Sequence, residues 1–428
     1  MRILILATDI YTRGGVARYT ATLAAALSGL PASADVLPLL GPIDSRLRGN
    51  DDGIRGNDAA GEGSCLILAP TTRKLTAAAK LRHTVRALRQ ARSRYDLVIC
   101  SHLSQAPLAA MIRLRDGTPY FVVAHGSEAW GRLPALKRLA LRGARAVLAV
   151  SAYTARAVAA ANRIPRARVK VIHNAIPEEL VQALTSSRSG PGRPQGPPLQ
   201  PILLSVASLK PEHAYKGIDT VIQALPQIAA AVPGVRYLVA GDGEDRARLE
   251  RLASALGVHD LVIFAGEVSD AELANLYRAC KVFVLPSRAS QQGDRWEGEG
   301  FGRVYVEAAL AGKPVVGSTD GGAAEAVLDG RTGFLVDPRS VTDVGSAVIR
   351  LLQSPGWAAS LGAVGRRWAL ERFTLAAMQK SLQPVLSSVV PRPSTFVRCP
   401  SAGRVEPATN ALPRLSTNNP HGRLTTDN

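Results

Sequence analysis

Two trains of short apolar runs, each run separated from the next by a segment of helical spacing, constrain this chain more than any other feature. In the first train, ILILA at 3–7, CLILA at 65–69, DLVIC at 96–100, PYFVVAH at 119–125 and AVLAVS at 146–151 read as strands. The segments 16–27, 73–94, 104–115, 133–143 and 152–162 read as helices. The runs are apolar throughout rather than alternately polar, which suits parallel strands covered on both faces. The second train has strands at 201–208, 235–241, 261–266, 281–286 and 314–318, and helices at 217–231, 244–256, 270–279 and 303–311. Helical stretches at 340–353, 357–371 and 374–388 close it. Repeated βαβ units of this kind build α/β folds with doubly wound open sheets, here two of them.

The break between the trains sets the domains. Residues 186–200 are rich in Pro, Gly and Ser without an apolar period and read as a linker or exposed loop. The expected organisation is a first domain over 1–185, a second over 201–372, and a closing helix over 373–390. Residues 42–64 repeat RGND and have too few apolar residues to bury, so they read as a low-complexity insertion, and 391–428 as a disordered tail. Over 428 residues, an apolar share of 46% excludes a fully disordered or fibrous chain. Four cysteines, Cys65, Cys100, Cys280 and Cys399, lie far apart with no His cluster beside them, which argues against a zinc site or disulfide framework and for a reducing cytosol. No stretch approaches the roughly 20 apolar residues of a membrane-spanning helix, and the N-terminus has no secretory signal pattern. A cytoplasmic protein, peripheral at most on the inner face of the plasma membrane, is expected.

Chemistry concentrates in WEGEGFGRVYVEAALAGKPVVGS, residues 296–318. Gly300 and Gly302 flank Phe301, and a helix begins near Gly302. Glycines allow tight turns and close ligand approach. A helix N-terminus offers free N–H groups and partial positive charge, which suits a diphosphate. Glu299 stands before the helix and Glu307 about two turns in, so the two carboxylates reach different parts of one elongated ligand. A carboxylate accepts two hydrogen bonds from vicinal hydroxyls. One Glu for a hexose and one for a ribose is the reading that a nucleotide sugar would explain.

These residues carry a resemblance. EGFGRVYVEA, with DGGAAEAVLDGRTGFLVDP at 320–338 after it, resembles the donor-binding element of retaining nucleotide-sugar glycosyltransferases of GT-B fold. That large group includes phosphatidylinositol mannosyltransferases and many bacterial polysaccharide glycosyltransferases. The resemblance covers roughly residues 1–390 and is strongest over 201–340. It implies two Rossmann-like domains facing each other across a cleft. It implies that Glu299 meets the sugar hydroxyls, Glu307 the ribose, and the Phe301 and Gly302 amides the transferred sugar or its phosphates. SLKPEHAYKGIDTVIQAL at 208–225 resembles the donor-phosphate segment and implies that Lys216 neutralises the leaving diphosphate. Ser208 stands where many relatives carry Arg, and Lys210 is the candidate substitute. GDGEDRARLE at 241–250 matches the family's GDG element, with Gly243 near the donor, and is no dinucleotide fingerprint because its third glycine is missing. Val268 falls where the nucleobase contact is implied. Gly14 and Gly15 match the family's glycine loop after the first strand, and His125 of HGSE is implied to touch the transferred sugar. Ser151, Thr154 and Asn174 match further positions at strand ends. The implied mechanism uses the leaving phosphate oxygen as base, with no protein nucleophile, no metal and no cofactor, the nucleotide sugar being substrate.

Charge adds a second theme. Net charge is +18, and residues 1–180 carry 26 basic and 12 acidic side chains. Residues 73–94 hold eight Lys or Arg and no acid, with Leu75, Ala78, Leu81, Val85 and Leu88 as an apolar stripe, and 132–145 is basic as well. Such helices can lie on an anionic bilayer. The plain alternative is a helix packed on the sheet with a solvated basic face. No nucleic-acid module appears, so no nucleic-acid partner is expected. The favoured reading is a metal-independent hexosyltransferase of cell-envelope glycan synthesis, using GDP-mannose or a UDP-hexose and a lipid-linked or polysaccharide acceptor. Two others stay open: a nucleotide-sugar epimerase of the same fold, and a non-catalytic basic adaptor for membrane or nucleic acid.

Overall fold

A computed structural model describes residues 1–8, 15–38, 84–89, 91, 95–186, 200–293 and 295–389. The insertion at 42–64, the strand expected at 65–69, most of the helix expected at 73–94, residues 187–199 of the expected linker and the tail from 390 lie outside these residues. Within the basic segment, residues 84–89 are helical.

Two parallel sheets form, each of six strands. The first contains β1 (Arg2–Ala7), β2 (Ser33–Pro38), β3 (Leu97–Cys100), β4 (Tyr120–Ala124), β5 (Ala146–Ala149) and β6 (Val169–Val171), in the order β2-β1-β3-β4-β5-β6. The second contains β7 (Ile202–Val206), β8 (Arg236–Ala240), β9 (Val262–Gly266), β10 (Val282–Val284), β13 (Val315–Ser318) and β14 (Gly333–Val336), in the order β14-β13-β10-β7-β8-β9. Between β10 and β13, β11 (Ser290–Gln292) and β12 (Arg295–Glu297) make an antiparallel hairpin. The strand order reverses between β1 and β3 in one sheet and between β7 and β10 in the other. Open parallel sheets place ligands at such switch points, beyond the carboxyl ends of the strands.

The apolar runs do what their composition dictates. Ile3, Ile5 and Ala7 of β1 enter one buried cluster, while Leu4 and Leu6 enter another on the opposite face. A strand whose successive side chains point to opposite faces must be apolar at every position when both faces are covered. Several elements escaped the sequence pattern, the β11–β12 hairpin among them. β2 is polar at Ser33 and Asp35 and ends on a proline; β6 and β14 are short edge strands; and the helix Glu178–Thr185 follows Pro177 directly.

That helix packs on the helices Asp270–Ala279 and Arg303–Leu310, both of which serve the second sheet. The last described helix, Leu375–Ser387, packs against Gly15–Ser28 beside the first sheet. Ile176 N donates to Phe373 O at 2.8 Å, and Arg145 Nη2 to Ser388 O at 2.8 Å. The chain is thus exchanged across the two halves in both directions. Among the described residues no helix is long and apolar enough to cross a membrane.

Candidate active site

The loops at the carboxyl ends of the strands meet between the sheets. After β4 comes His125-Gly126, and it packs directly on Gly300 of the loop that precedes the helix Arg303–Leu310. A methyl group at Gly300 would run into the His125 carbonyl oxygen, so only glycine permits this approach. Gly302 takes φ +86° and forms the N-cap of that helix without a side-chain cap hydrogen bond. The left-handed turn favours glycine, and no side chain caps the first N–H groups of the helix.

Glu299 and Lys216 form a partly buried ion pair across this turn. Lys216 closes the short 3₁₀ segment Pro211–Lys216, just before Gly217 and the helix Ile218–Ala231. Burial alone would lower the pKa of its ammonium, but the Glu299 carboxylate outweighs burial and the net shift is upward. Lys216 is therefore a fixed cation beside a helix N-terminus. Glu307 is buried two turns on, though not among hydrocarbon. Tyr277 Oη donates to its Oε2 at 2.9 Å, and Arg303 Nη2 to its Oε1 at 3.3 Å.

On the first-sheet side, His125 Nε2 lies 2.6 Å from the Ser101 carbonyl oxygen. A carbonyl can only accept, so Nε2 carries the proton and Nδ1 is the acceptor in the neutral ring. Burial pushes the His125 pKa down to about 4, against the opposing effect of the Ser101 hydrogen bond, and the ring is neutral near pH 7. Tyr19 meets the His125 ring edge-on at 4.9 Å between centroids. The Tyr19 Oη and Ser101 Oγ atoms are buried without a hydrogen-bond partner. Buried polar atoms are normally satisfied, so two such atoms around one histidine mark a place where a polar ligand or water belongs.

The other expected residues fall into a looser arrangement. Ser208 and Lys210 are exposed and line a cavity with His213, Asp219, Asp245 and Arg248. Gly243 lies against the Leu209–Lys210 backbone, where no side chain would fit. Val268 is half-buried against the core of the second half, next to Ser269, which caps the helix Asp270–Ala279. Gly15 is exposed at the start of its helix, and Gly14 lies outside the described residues. The Phe301 side chain is buried between His173 and Phe373, both 5.3 Å away ring to ring, so only its backbone is available to a ligand. Ser151 and Thr154 are engaged in structure: the Ser151 hydroxyl caps its own helix, and Thr154 Oγ1 accepts from Trp130 Nε1 at 3.1 Å. Asn174 Oδ1 is buried without a partner.

Sequence reasoning missed the groups that hold the lobes together. Glu325 accepts from Ala152 N at 2.7 Å and from Tyr153 N at 2.6 Å, so a carboxylate of the second half caps a helix of the first. Arg18 bonds Asp270 across the same division at 2.8 Å. Nothing in the chain's local pattern signals pairs more than 170 residues apart. Arg303 was also missed, although its i,i+4 spacing to Glu307 was in plain view.

Comparison with known proteins agrees with this geometry. Residues 193–368 match the family description "Glycosyl transferases group 1", and residues 13–180 match "Glycosyltransferase Family 4". The chain is 32% identical over 340 residues to a GDP-mannose-dependent alpha-(1-6)-phosphatidylinositol monomannoside mannosyltransferase of Mycolicibacterium smegmatis, covering 77% of this chain and 85% of that protein. It is 35% identical over 193 residues to a D-inositol 3-phosphate glycosyltransferase of the same organism, covering 44% of this chain and 40% of that one. Among solved structures it resembles the sucrose-phosphate synthase of Thermosynechococcus elongatus with a TM-score of 0.71 at 20% identity, covering 91% of this chain and 98% of that one. It also resembles Anabaena HepE in complex with UDP and glucose, with a TM-score of 0.67 at 20% identity, covering 91% and 100%. These likenesses show the fold, which is GT-B: two Rossmann-like halves, each with a parallel six-stranded sheet.

Proposed function

The chain belongs to the group 1 glycosyltransferases, and on that premise we propose that it is a retaining, metal-independent hexosyltransferase acting on a lipid-linked or polysaccharide acceptor of the cell envelope. GDP-mannose is the preferred donor candidate, because a relative that uses it is aligned over most of both chains; a UDP-hexose is the second. The observation that carries the reading is the Lys216–Glu299 ion pair beside the uncapped N-terminus of the helix Arg303–Leu310.

Each residue then has a task. Lys216 and the free helical N–H groups stabilise the negative charge that grows on the departing diphosphate. Glu299 accepts hydrogen bonds from hydroxyls of the transferred sugar, and Glu307 from the ribose. His125, neutral with Nδ1 as acceptor, takes a hydrogen bond from a sugar hydroxyl. As the bond from the anomeric carbon to phosphate breaks, the acceptor oxygen bonds to the same face of that carbon, and its proton passes to the departing phosphate oxygen. Ser208 leaves the cationic work at its end of the cleft to Lys216 and Lys210.

The protein is further read as cytoplasmic and peripheral on the inner face of the membrane. On the first half, the helices Ala106–Asp116 and Ala135–Gly143 pack on each other and expose Leu114 at 87%, Leu136 at 68% and Leu139 at 70%. Arg113, Arg115, Lys137, Arg138 and Arg142 lie on the same two helices. Exposed leucines among arginines fit an anionic lipid surface. Incubation with GDP-mannose and a membrane extract, with and without a chelator, tests the enzymatic reading. The expected product is an α-linked glycoside at equal yield in both. A β-linked product contradicts retention, and loss with chelator contradicts metal independence.

A further inference from the structure

Arg303 is a buried cation for which the fold provides little. It opens the helix Arg303–Leu310 directly after the uncapped Gly302, and its side chain is only 10% exposed. A guanidinium carries five N–H donors. One reaches Glu307 Oε1, at 3.3 Å, and Nε has no partner. Tyr277 already donates to the other oxygen of the same carboxylate. Burial lowers the Arg303 pKa, Glu307 opposes that shift, and the like charge of Arg18 reinforces it. Arg18 comes from the helix Gly15–Ser28 of the first half and pairs with the exposed Asp270 at 2.8 Å. Arg18 of the first half thus pairs at the start of the helix Asp270–Ala279, close enough for its charge to act on Arg303 at the start of the helix Arg303–Leu310, and Arg303, the more buried of the two, has unused donors. The two acids of the site are also matched, each to its own cation: Glu299 to Lys216 and Glu307 to Arg303.

An orphaned N–H on a buried guanidinium is costly unless a ligand satisfies it. The ligand chemistry that fits a planar fork of donors at a helix N-terminus is a phosphate. We infer that Arg303 binds a phosphate oxygen of the nucleotide donor directly, through guanidinium N–H groups that the protein leaves unpaired, with Arg18 approaching from the opposite lobe. This rests on the nucleotide-sugar reading of the site. Arg303 is thus a second phosphate-binding cation, separate from Lys216 and placed on the Glu307 side.

The test is calorimetric binding of GDP and UDP, and of guanosine and uridine, to the full chain, to Arg303→Leu and to Arg303→Lys. Unfolding midpoints are recorded for each protein. The expected result is a loss of diphosphate affinity of about ten- to a hundredfold in Arg303→Leu, with nucleoside affinity unchanged. Arg303→Lys, which keeps a charge for Glu307, recovers part of that loss, and it carries the test if the leucine variant does not fold. Equal losses for diphosphate and nucleoside would show that Arg303 only props Glu307, and an unchanged diphosphate affinity would overturn the inference alone. Failure of the unmodified protein to bind either diphosphate would overturn both the inference and the reading beneath it.

Discussion

At Glu307 stability and the proposed ribose contact draw on the same two oxygens. Because Arg303 is buried against it, Glu307→Ala leaves an uncompensated interior charge, and breaking such a pair costs about 3–5 kcal/mol. Glu307→Gln also loses the charge, but it keeps the volume and one acceptor oxygen for Arg303, with its NH2 turned to Tyr277 Oη. Both variants are expected to lose turnover, and urea denaturation should find both less stable than the unmodified protein, the alanine variant the lower because it also loses volume and hydrogen bonds; unmodified stability in both would contradict the pairing. His125 makes a second prediction. Its folded pKa of about 4 lies below its ordinary value of 6.5, so the unfolded chain binds more protons between these values. Stability should therefore fall as pH drops from 6.5 toward 4, and His125→Gln should flatten that part of the profile. An unchanged profile in the variant would show that His125 is not the buried neutral ring described. The spacing of Glu299 and Glu307 was legible in the sequence because helical arithmetic converts residue number into position. Their cations were only half legible: Lys216 was found from its segment, whereas Arg303 was overlooked.

The elements that make the site are a turn, a helix N-terminus and two loops pressed together. Gly300 is the tightest point of the proposed site, and Gly300→Ala is expected to abolish transfer while both sheets remain formed, because the added methyl drives His125-Gly126 away from the turn at Glu299–Gly302. Near-normal activity with far-UV circular dichroism unchanged would refute the close approach. The central strands were readable because burial on both faces demands unbroken apolar runs. The edge strands β2, β6 and β14 were not, since an edge needs fewer apolar residues and tolerates Asp35 and Pro38. The helix Glu178–Thr185 was hidden for another reason: its partners lie about 100 residues further on, in the helices Asp270–Ala279 and Arg303–Leu310. The proposed lipid-facing surface is tested at this scale too. Leu136→Ser with Leu139→Ser should lower cosedimentation with anionic vesicles several-fold and leave soluble-donor binding intact, while unchanged sedimentation would reject the surface.

Across the whole molecule, the fold class and its two halves followed from the doubled βαβ pattern, but the way the halves grip each other did not. Glu325 on one half caps a helix of the other, Arg18 reaches Asp270, and the helix Leu375–Ser387 returns to the first half. Only three-dimensional proximity reveals such contacts. Together they hold the carboxyl ends of both sheets around one gap. That gap is where a nucleotide sugar is proposed to lie, between the Lys216–Glu299 pair and Glu307. The most direct measurement is isothermal titration of GDP-mannose, with the UDP-hexoses alongside, into the unmodified protein and into Lys216→Met and Glu307→Gln. Saturable binding of one of these donors, weakened at least tenfold in each variant, is the predicted result; no binding of any nucleotide sugar, or binding that both variants leave untouched, would contradict it.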